Sequence, residues 1–487
     1  MELHEDLTIF VNGQFHKVLA NELSPTTTLN SFLRNHLHLT GTKRMCLEGG
    51  CGACLVAVKR QNAVTKEDEI VAVNSCLVSI FSTVGWEIYT IEGLGDTTNP
   101  NKLQQVIAKF YGTQCGYCTP GMIMNMFALK QNTKDVTMET VENSFGGNIC
   151  RCTGYRPILE AFKSVCQDAS PDLAKKCGDI EDMPVCKMKL KYPDIICTPH
   201  LASPFYYKLG GLSWIKVTLL NDLIQIIKTF ESTKNGNPNY YTIVAGNTSK
   251  GVYKKETEYN VYVDIQDVRE LKSIRLVENG LNVGANITLT TAINTFKKMS
   301  QNIPQLKYLK KLAEHIELVA NVPVRNIGTL AGNLMIKHKN NEFPSDIFLL
   351  LETVNATLQI IDTEENKKLV KPREFLKINM ENKIIKSILL PNQSKNYYFE
   401  SFKYILSIAP QNLLTPGHVS GKSKLKRPIS KSKQEYEIKE DMYPISYPVT
   451  KKEAMLQTTG TVTIFFPLHI EQADGRLERN LAERPTN

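Results

Sequence analysis

Eight of the twelve cysteines in this 487-residue chain fall into two tight groups, and no other feature narrows its fold as far. Cys46, Cys51, Cys54 and Cys76 make the first group, and Cys115, Cys118, Cys150 and Cys152 the second. The stretch Met1 to Leu7 is acidic and no apolar run follows it, so no secretory signal is expected, and no segment approaches the length of a membrane span. The expectation is a soluble, intracellular chain, cytoplasmic or else peroxisomal. Thiols stay reduced there, which argues against a disulfide framework. Clustered reduced thiols point to metal. Cys166, Cys177, Cys186 and Cys197 are spread without periodicity and are expected to share no role.

Within the first group the order is C-x4-C-x2-C, with the fourth cysteine after twenty-one more residues. That is the plant-type ferredoxin spacing for a [2Fe–2S] cluster. Four thiolates converging on a small anionic core need a backbone that approaches closely. Gly49, Gly50 and Gly52 allow it, and their N–H groups can turn towards sulfur. Structural zinc more often uses paired knuckles, which this triple run fits poorly. In the second group, Cys115 and Cys118 form a C-x-x-C at the start of an expected helix, where amides and dipole favour thiolates. Cys150 and Cys152 form a C-x-C. Spacing alone leaves zinc or a redox pair open for this group.

The remainder reads as an α+β multidomain chain. Leu7, Ile9 and Val11 alternate with polar positions, and Asn12-Gly13 predicts a two-residue hairpin. A short helix carries Leu29, Phe32, Leu33 and Leu37, and strands are expected near Leu55–Val58, Ile70–Val73 and Glu87–Ile91. This first domain covers about 1–94. Four helices follow over 95–170, on Leu103–Phe110, Met122–Leu129, Val141–Phe145 and Ile158–Val165, with Met122, Met124 and Met126 as adaptable core. Residues 171–207 have no period and read as a linker. An α/β domain follows over 208–400. It opens with a strand at Trp214–Val217, a helix at Leu219–Phe230 and a strand at Tyr241–Ala245 that runs into Gly246-Asn247-Thr248. That turn makes a plausible phosphate nest. It is not a nucleoside-triphosphate loop, because Val252 and Tyr253 follow Gly251. The formal net charge is +9, with much of the excess between Lys422 and Lys452. Few aromatic residues interleave there, so a solvated segment is expected rather than a nucleic-acid contact.

Gln114 through Gly121, Gly146 through Gly154 and Tyr155-Arg156-Pro157 resemble the second cluster domain of the xanthine dehydrogenase and aldehyde oxidase family. The first cysteine group resembles that family's N-terminal ferredoxin domain, a β-grasp fold. The resemblance makes all eight cysteines cluster ligands and places Gln114 against the pterin of a molybdenum cofactor. The third domain resembles the family's FAD domain, of the vanillyl-alcohol-oxidase-like type. The loop Ile243-Val244-Ala245-Gly246-Asn247-Thr248-Ser249-Lys250 then holds the pyrophosphate. Thr329-Leu330-Ala331-Gly332-Asn333 forms a second flavin loop, and Asp346 and Lys403 give further contacts. Asn326 through Thr329 and Lys337 through Asp346 lean towards aldehyde oxidases.

The family pattern runs to about Tyr404. Residues 401–460 resemble a short lead-in to the family's molybdenum region, and 461–487 have no family character. The expectation is therefore a chain truncated before the molybdenum domains. In the family, electrons from hydroxylation at molybdenum pass through both clusters to FAD, then to oxygen or NAD. This chain is expected to keep that relay as an oxidoreductase portion with no catalytic residue of its own. Homodimers or association with a molybdenum-bearing chain would follow, with the molybdenum cofactor held by a full-length relative or a separate subunit. The competing expectations are a non-enzymatic cluster-binding remnant that associates with full-length relatives, and a zinc-stabilised binding module.

Overall fold

The chain begins with β1 (Glu2–His4), β2 (Asp6–Val11) and β3 (Gln14–Leu19). β2 and β3 pair antiparallel and are joined by Asn12 and Gly13, both at positive φ, as the primed hairpin turn requires. α1 (Leu29–Asn35) follows, its first turn capped by Thr28, whose hydroxyl accepts from the Ser31 amide. The sheet is completed by β4 (Leu55–Gln61), β5 (Asp68–Asn74) and β6 (Glu87–Tyr89), in the order β3-β2-β6-β4-β5. The computed structural model describes residues 2–173 and 204–401, except 63, 234–236, 238, 254–257 and 395–396, and also Thr458.

The period of two in β4 decides how the domains meet. Val56 and Val58 point to the face covered by α1, in one core with Leu29, Phe32 and Leu33. Leu55 and Ala57 point the other way, into a core shared with the helical domain. That domain consists of α3 (Lys102–Lys109), α4 (Thr119–Asn132), α5 (Met138–Ser144) and α6 (Arg156–Lys163), after the single turn α2 (Ile91–Leu94). All four helices expected from the sequence are present. α4 lies against β4 and β5, so both of its sides are covered, and Met122, Met124 and Met126 are buried as expected.

The third domain has two sheets. One has the order β1-β7-β8-β10-β9, with β7 (Phe205–Leu209), β8 (Leu212–Lys216), β9 (Tyr241–Val244) and β10 (Val261–Asp264). β1 pairs parallel with β7, so residues 2–4 join this sheet rather than that of β2. β7 starts inside the stretch read as linker, because the run Phe-Tyr-Tyr-Lys-Leu is too short to show a period of its own. The helix Leu220–Thr233 covers this sheet and matches the expected one. The second sheet is antiparallel, in the order β11-β12-β15-β13-β14: β11 (Ile274–Val277), β12 (Gly280–Gly284), β13 (Thr357–Ile361), β14 (Lys367–Val370) and β15 (Ile384–Pro391). The helices Leu289–Asn302, Leu309–Ile316, Leu330–Lys339 and Asp346–Thr353 contribute to its core.

The first and third domains share one apolar cluster. Phe81 stacks on Trp214 at 5.5 Å and lies 5.4 Å from Tyr207, and Val244 and Ile327 belong to the same core. Burial of such aromatic surface fixes the two domains together without any linker. Among the described residues no helix is long and apolar enough to cross a membrane.

Candidate functional site

β4 and β5 bring the first cysteine group together. Leu55 pairs with Asn74 across the hairpin, so the twenty-one residues between Cys54 and Cys76 go out along one strand and return along the other. Ser75 closes that end, donating its hydroxyl to the Cys54 carbonyl at 2.6 Å. Asn30, fully buried on α1, donates to Ser75 Oγ at 3.1 Å and to the Lys43 carbonyl at 3.0 Å. It thereby ties the strand end to the loop carrying Cys46. The Cys46 sulfur receives the amides of Glu48 at 3.5 Å and Cys51 at 3.4 Å. The amides of Gly50 and Gly49 turn towards Cys46 and Cys76, as expected of a sulfur-binding loop.

The thiols meet two by two. Cys46 contacts Cys51, and Cys54 contacts Cys76. In the helical domain Cys118 contacts Cys150, and Cys115 contacts Cys152. The Cys51 thiol holds Cys46 down to about 6, and the Cys118 thiol holds Cys150 down to about 5. The donors Cys51 and Cys118 move up for the same reason. Each group brings four thiols together as two contacting pairs, and a binuclear cluster would take two thiolates at each iron.

Cys118 stands at the start of α4, as its C-x-x-C placement implied, without a side-chain cap hydrogen bond, while Cys150 and Cys152 lie between α5 and α6. Thr153 Oγ1 lies 3.1 Å from Cys150 Sγ, and the Tyr155 hydroxyl accepts from the Cys150 amide at 3.1 Å. This group has two sides. Cys150 is buried and Cys118 half-buried towards the first domain, while Cys115 and Cys152 are exposed. Gln114 is exposed beside Cys115. The inner side is joined to the first group by the Ile149 amide, which donates to the Cys51 carbonyl at 2.8 Å. The Tyr117 hydroxyl donates to the Arg44 carbonyl across the same boundary.

The expected flavin loops also converge, beside the first group. β9 runs into Ala245 and Gly246, and a Cβ on Gly246 would lie 1.8 Å from the Ile327 carbonyl. Only glycine allows the two loops to approach that closely. Asn247, at φ 55, donates its side-chain N–H to the Leu77 carbonyl at 3.0 Å, directly after Cys76. Thr329 caps the helix Leu330–Lys339 through the Gly332 amide at 3.0 Å. Asn333 accepts from the Ser345 hydroxyl, and Ser345 in turn caps the helix that begins with Asp346. Asp346 lies 3.9 Å from His315 Nε2. A cavity of about 490 Å³ opens between the domains and is bordered by Gly246, Thr329, Asn286, Arg60, Lys272 and Trp86. Its border mixes the cations Arg60, Lys66, Arg269 and Lys272 with the carboxylates Glu69 and Asp267. Lys403 lies outside the described residues.

Sequence reasoning missed Asn30, Asn74, Tyr117 and Asn321. Asn74 and Tyr117 carried a signal, Asn74 being two residues from Cys76 and Tyr117 lying inside the C-x-x-C motif.

Residues 9–80 match a 2Fe-2S iron-sulfur cluster binding domain, residues 90–163 a [2Fe-2S] binding domain, and residues 208–393 the FAD binding domain in molybdopterin dehydrogenase. The chain is 32% identical over 411 residues to aldehyde oxidase 1 of Oryctolagus cuniculus, covering 77% of this chain and 30% of that protein. It is 33% identical over 394 residues to abscisic-aldehyde oxidase of Arabidopsis thaliana, covering 77% and 28%. The aldehyde oxidoreductase structure from Desulfovibrio desulfuricans shares 32% identity, over 36% of this chain and 18% of that one, with a TM-score of 0.30. The chain thus spans about 30% of the length of the curated relatives it matches. With two cluster-binding domains and a flavin-binding domain in this order, the chain belongs to the xanthine dehydrogenase and aldehyde oxidase family, whose iron–sulfur and FAD-binding portion it carries.

Proposed function

We propose that this chain is the electron-transfer portion of an aldehyde oxidase or xanthine dehydrogenase-like oxidoreductase, relaying electrons through two [2Fe–2S] clusters to FAD. The observation that carries this reading is the position of the Cys46–Cys54 loop. It meets the second cysteine group through Ile149 and Cys51, and the flavin domain through Asn321 and Gly49.

In this reading Cys46, Cys51, Cys54 and Cys76 hold one cluster, and Cys115, Cys118, Cys150 and Cys152 the other. Ile243 to Lys250, Thr329 to Asn333, Asp346 and Lys403 hold FAD. Domain limits near 94, 170, 207 and 400 go with this assignment. When bound, the clusters supply one-electron carriers and FAD links one-electron to two-electron chemistry. The chain's own contribution is positional. Backbone amides stabilise thiolate charge, the shared aromatic core holds the domains in place, and the buried position of Cys51, Cys54 and Cys76 keeps water from that site. Gln114 and the exposed Cys115 and Cys152 would face a molybdenum-bearing domain or subunit, with oxygen or NAD as acceptor at the flavin.

The test is metal and flavin content of the purified chain, grown with iron available. About four irons per chain, with flavin and without zinc, is the expected result. Iron without flavin would leave only the cluster-binding remnant, and zinc in place of iron would sink the relay.

A further inference from the structure

Asn74 ends β5 two residues before Cys76, and its relative exposure is 0%. Its Nδ2 lies 3.9 Å from the Cys54 sulfur. Its Oδ1 is buried and has no hydrogen-bond partner. The side chain therefore spends its one hydrogen bond on a cysteine sulfur. A buried amide with an unmet carbonyl is destabilising, and an apolar residue there would avoid that cost. The bland role for a buried asparagine is to satisfy backbone groups, as Asn30 does in the same domain. Asn74's side chain satisfies none.

We infer that Asn74 is a positioning residue that raises the reduction potential of the first cluster by donating to the Cys54 sulfur, an inference resting on the ligand assignment proposed above. Uptake of one electron adds one negative charge, shared with the thiolate sulfurs. A fixed N–H donor favours the more negative form and so eases reduction. Backbone amides supply donors at both ends of the group, those of Glu48 and Cys51 at Cys46, of Gly49 at Cys76 and of Cys76 at Cys54. Asn74 adds a side-chain donor at Cys54, and it can be removed by substitution.

The experiment is a dithionite titration of the full chain followed by electron paramagnetic resonance, for wild type, Asn74→Leu and Asn74→Ala. The first-cluster signal is identified as the one that Cys54→Ser abolishes. Both Asn74 variants should lower its midpoint by about 59 mV, a tenfold weaker uptake of one electron. The second cluster should not move. An unchanged midpoint at full iron content overturns the inference, and so does an equal shift of both clusters. Loss of the first cluster in both variants, with the fold retained by circular dichroism, also overturns it, since Asn74 would then serve assembly. Absence of [2Fe–2S] signals in the wild type would instead refute the ligand assignment.

Discussion

The side-chain amide of Asn321 donates to the Gly49 carbonyl at 2.8 Å, joining the flavin domain to the first cysteine loop across 272 residues of chain. The same side chain caps the turn Val322–Arg325 and lies against Gly147 of the helical domain, where an added Cβ would fall 2.8 Å from its Cγ. One buried residue thus touches all three domains. Asn321→Ala should cost about 1–3 kcal/mol, since it leaves the Gly49 carbonyl unpaired and removes a cap. Gly147→Ala should also destabilise, by steric clash. Chemical denaturation of both single variants and the double variant should give a sum slightly above the double's loss, because Asn321→Ala removes the Cγ and Nδ2 that the added methyl group would meet at 2.8 and 3.2 Å but keeps the Cβ at 2.9 Å. Additive losses would mean the two residues do not press on each other.

Leu47 sits in the first cysteine loop at φ 59, with 43% of its surface exposed. A leucine in the left-handed region bears a cost of about 1–2 kcal/mol, offset in part by the covered side of its side chain. Leu47→Gly should therefore raise stability by less than about 1 kcal/mol, reduced by that lost packing and by glycine's greater freedom when unfolded. The check is the thermal midpoint of the cluster-loaded protein. A lower midpoint would show that the Leu47 side chain does more in packing than its exposure indicates.

How far the sequence led depended on how local each signal was. The Asn12-Gly13 hairpin, the four helices and the two cysteine groups are set by neighbours within a few residues, and the structure places each where its pattern predicts. The pairing of β1 with β7 joins residues about 200 positions apart, and no period in Glu2–His4 announces it. The loops expected to hold flavin were legible as glycine turns, but the contact of Asn247 with Leu77 and that of Asn321 with Gly49 were not. Those contacts arise from side chains such as Asn247 and Asn321, whose partners are backbone carbonyls that any residue could supply. Asn74 is the opposite case. Its partner is a cysteine legible from spacing, but nothing in the sequence aims an asparagine amide at that sulfur.

Lys216 is completely buried, 2.7 Å from Asp267 and 3.5 Å from Asp264. Burial pushes its ammonium down, but the charges of Asp264 and then Asp267 outweigh this and raise it. Burial pushes Asp267 up, while Lys216 and Lys272 more than offset this and hold it down to about 2. A carboxylate held below its ordinary value stabilises the fold above about pH 4 and loses that contribution as pH falls towards 2. Asp267→Asn should flatten this acid limb of the stability curve, measured by denaturation at several pH values. The effect should be modest, because Asp267 is partly open to solvent. Lys216→Met should be more damaging, by about 3–5 kcal/mol, because it strands the fully buried Asp264. An unaltered acid limb in Asp267→Asn would show that Lys216 does not hold that carboxylate.

The two cysteine groups should be separable by substitution. Cys54 belongs to the core shared by the first and third domains, with Val56, Phe81 and Trp214, while Cys150 belongs to that of the helical domain, with Met122 and Phe162. Each site draws all four thiols from its own domain, so losing one site leaves the other's ligands in place. Cys54→Ser should remove about two irons per chain and one set of paramagnetic signals, and Cys150→Ser should remove the other set. The remaining signal should persist in each variant, with altered relaxation, because the Cys51–Ile149 hydrogen bond places the two sites side by side. Collapse of both signals in either variant would mean that neither site forms without its neighbour. The loop between Cys46 and Cys54 would then depend for its shape on the helical domain, and the sharing of iron between the sites would have to be reconsidered.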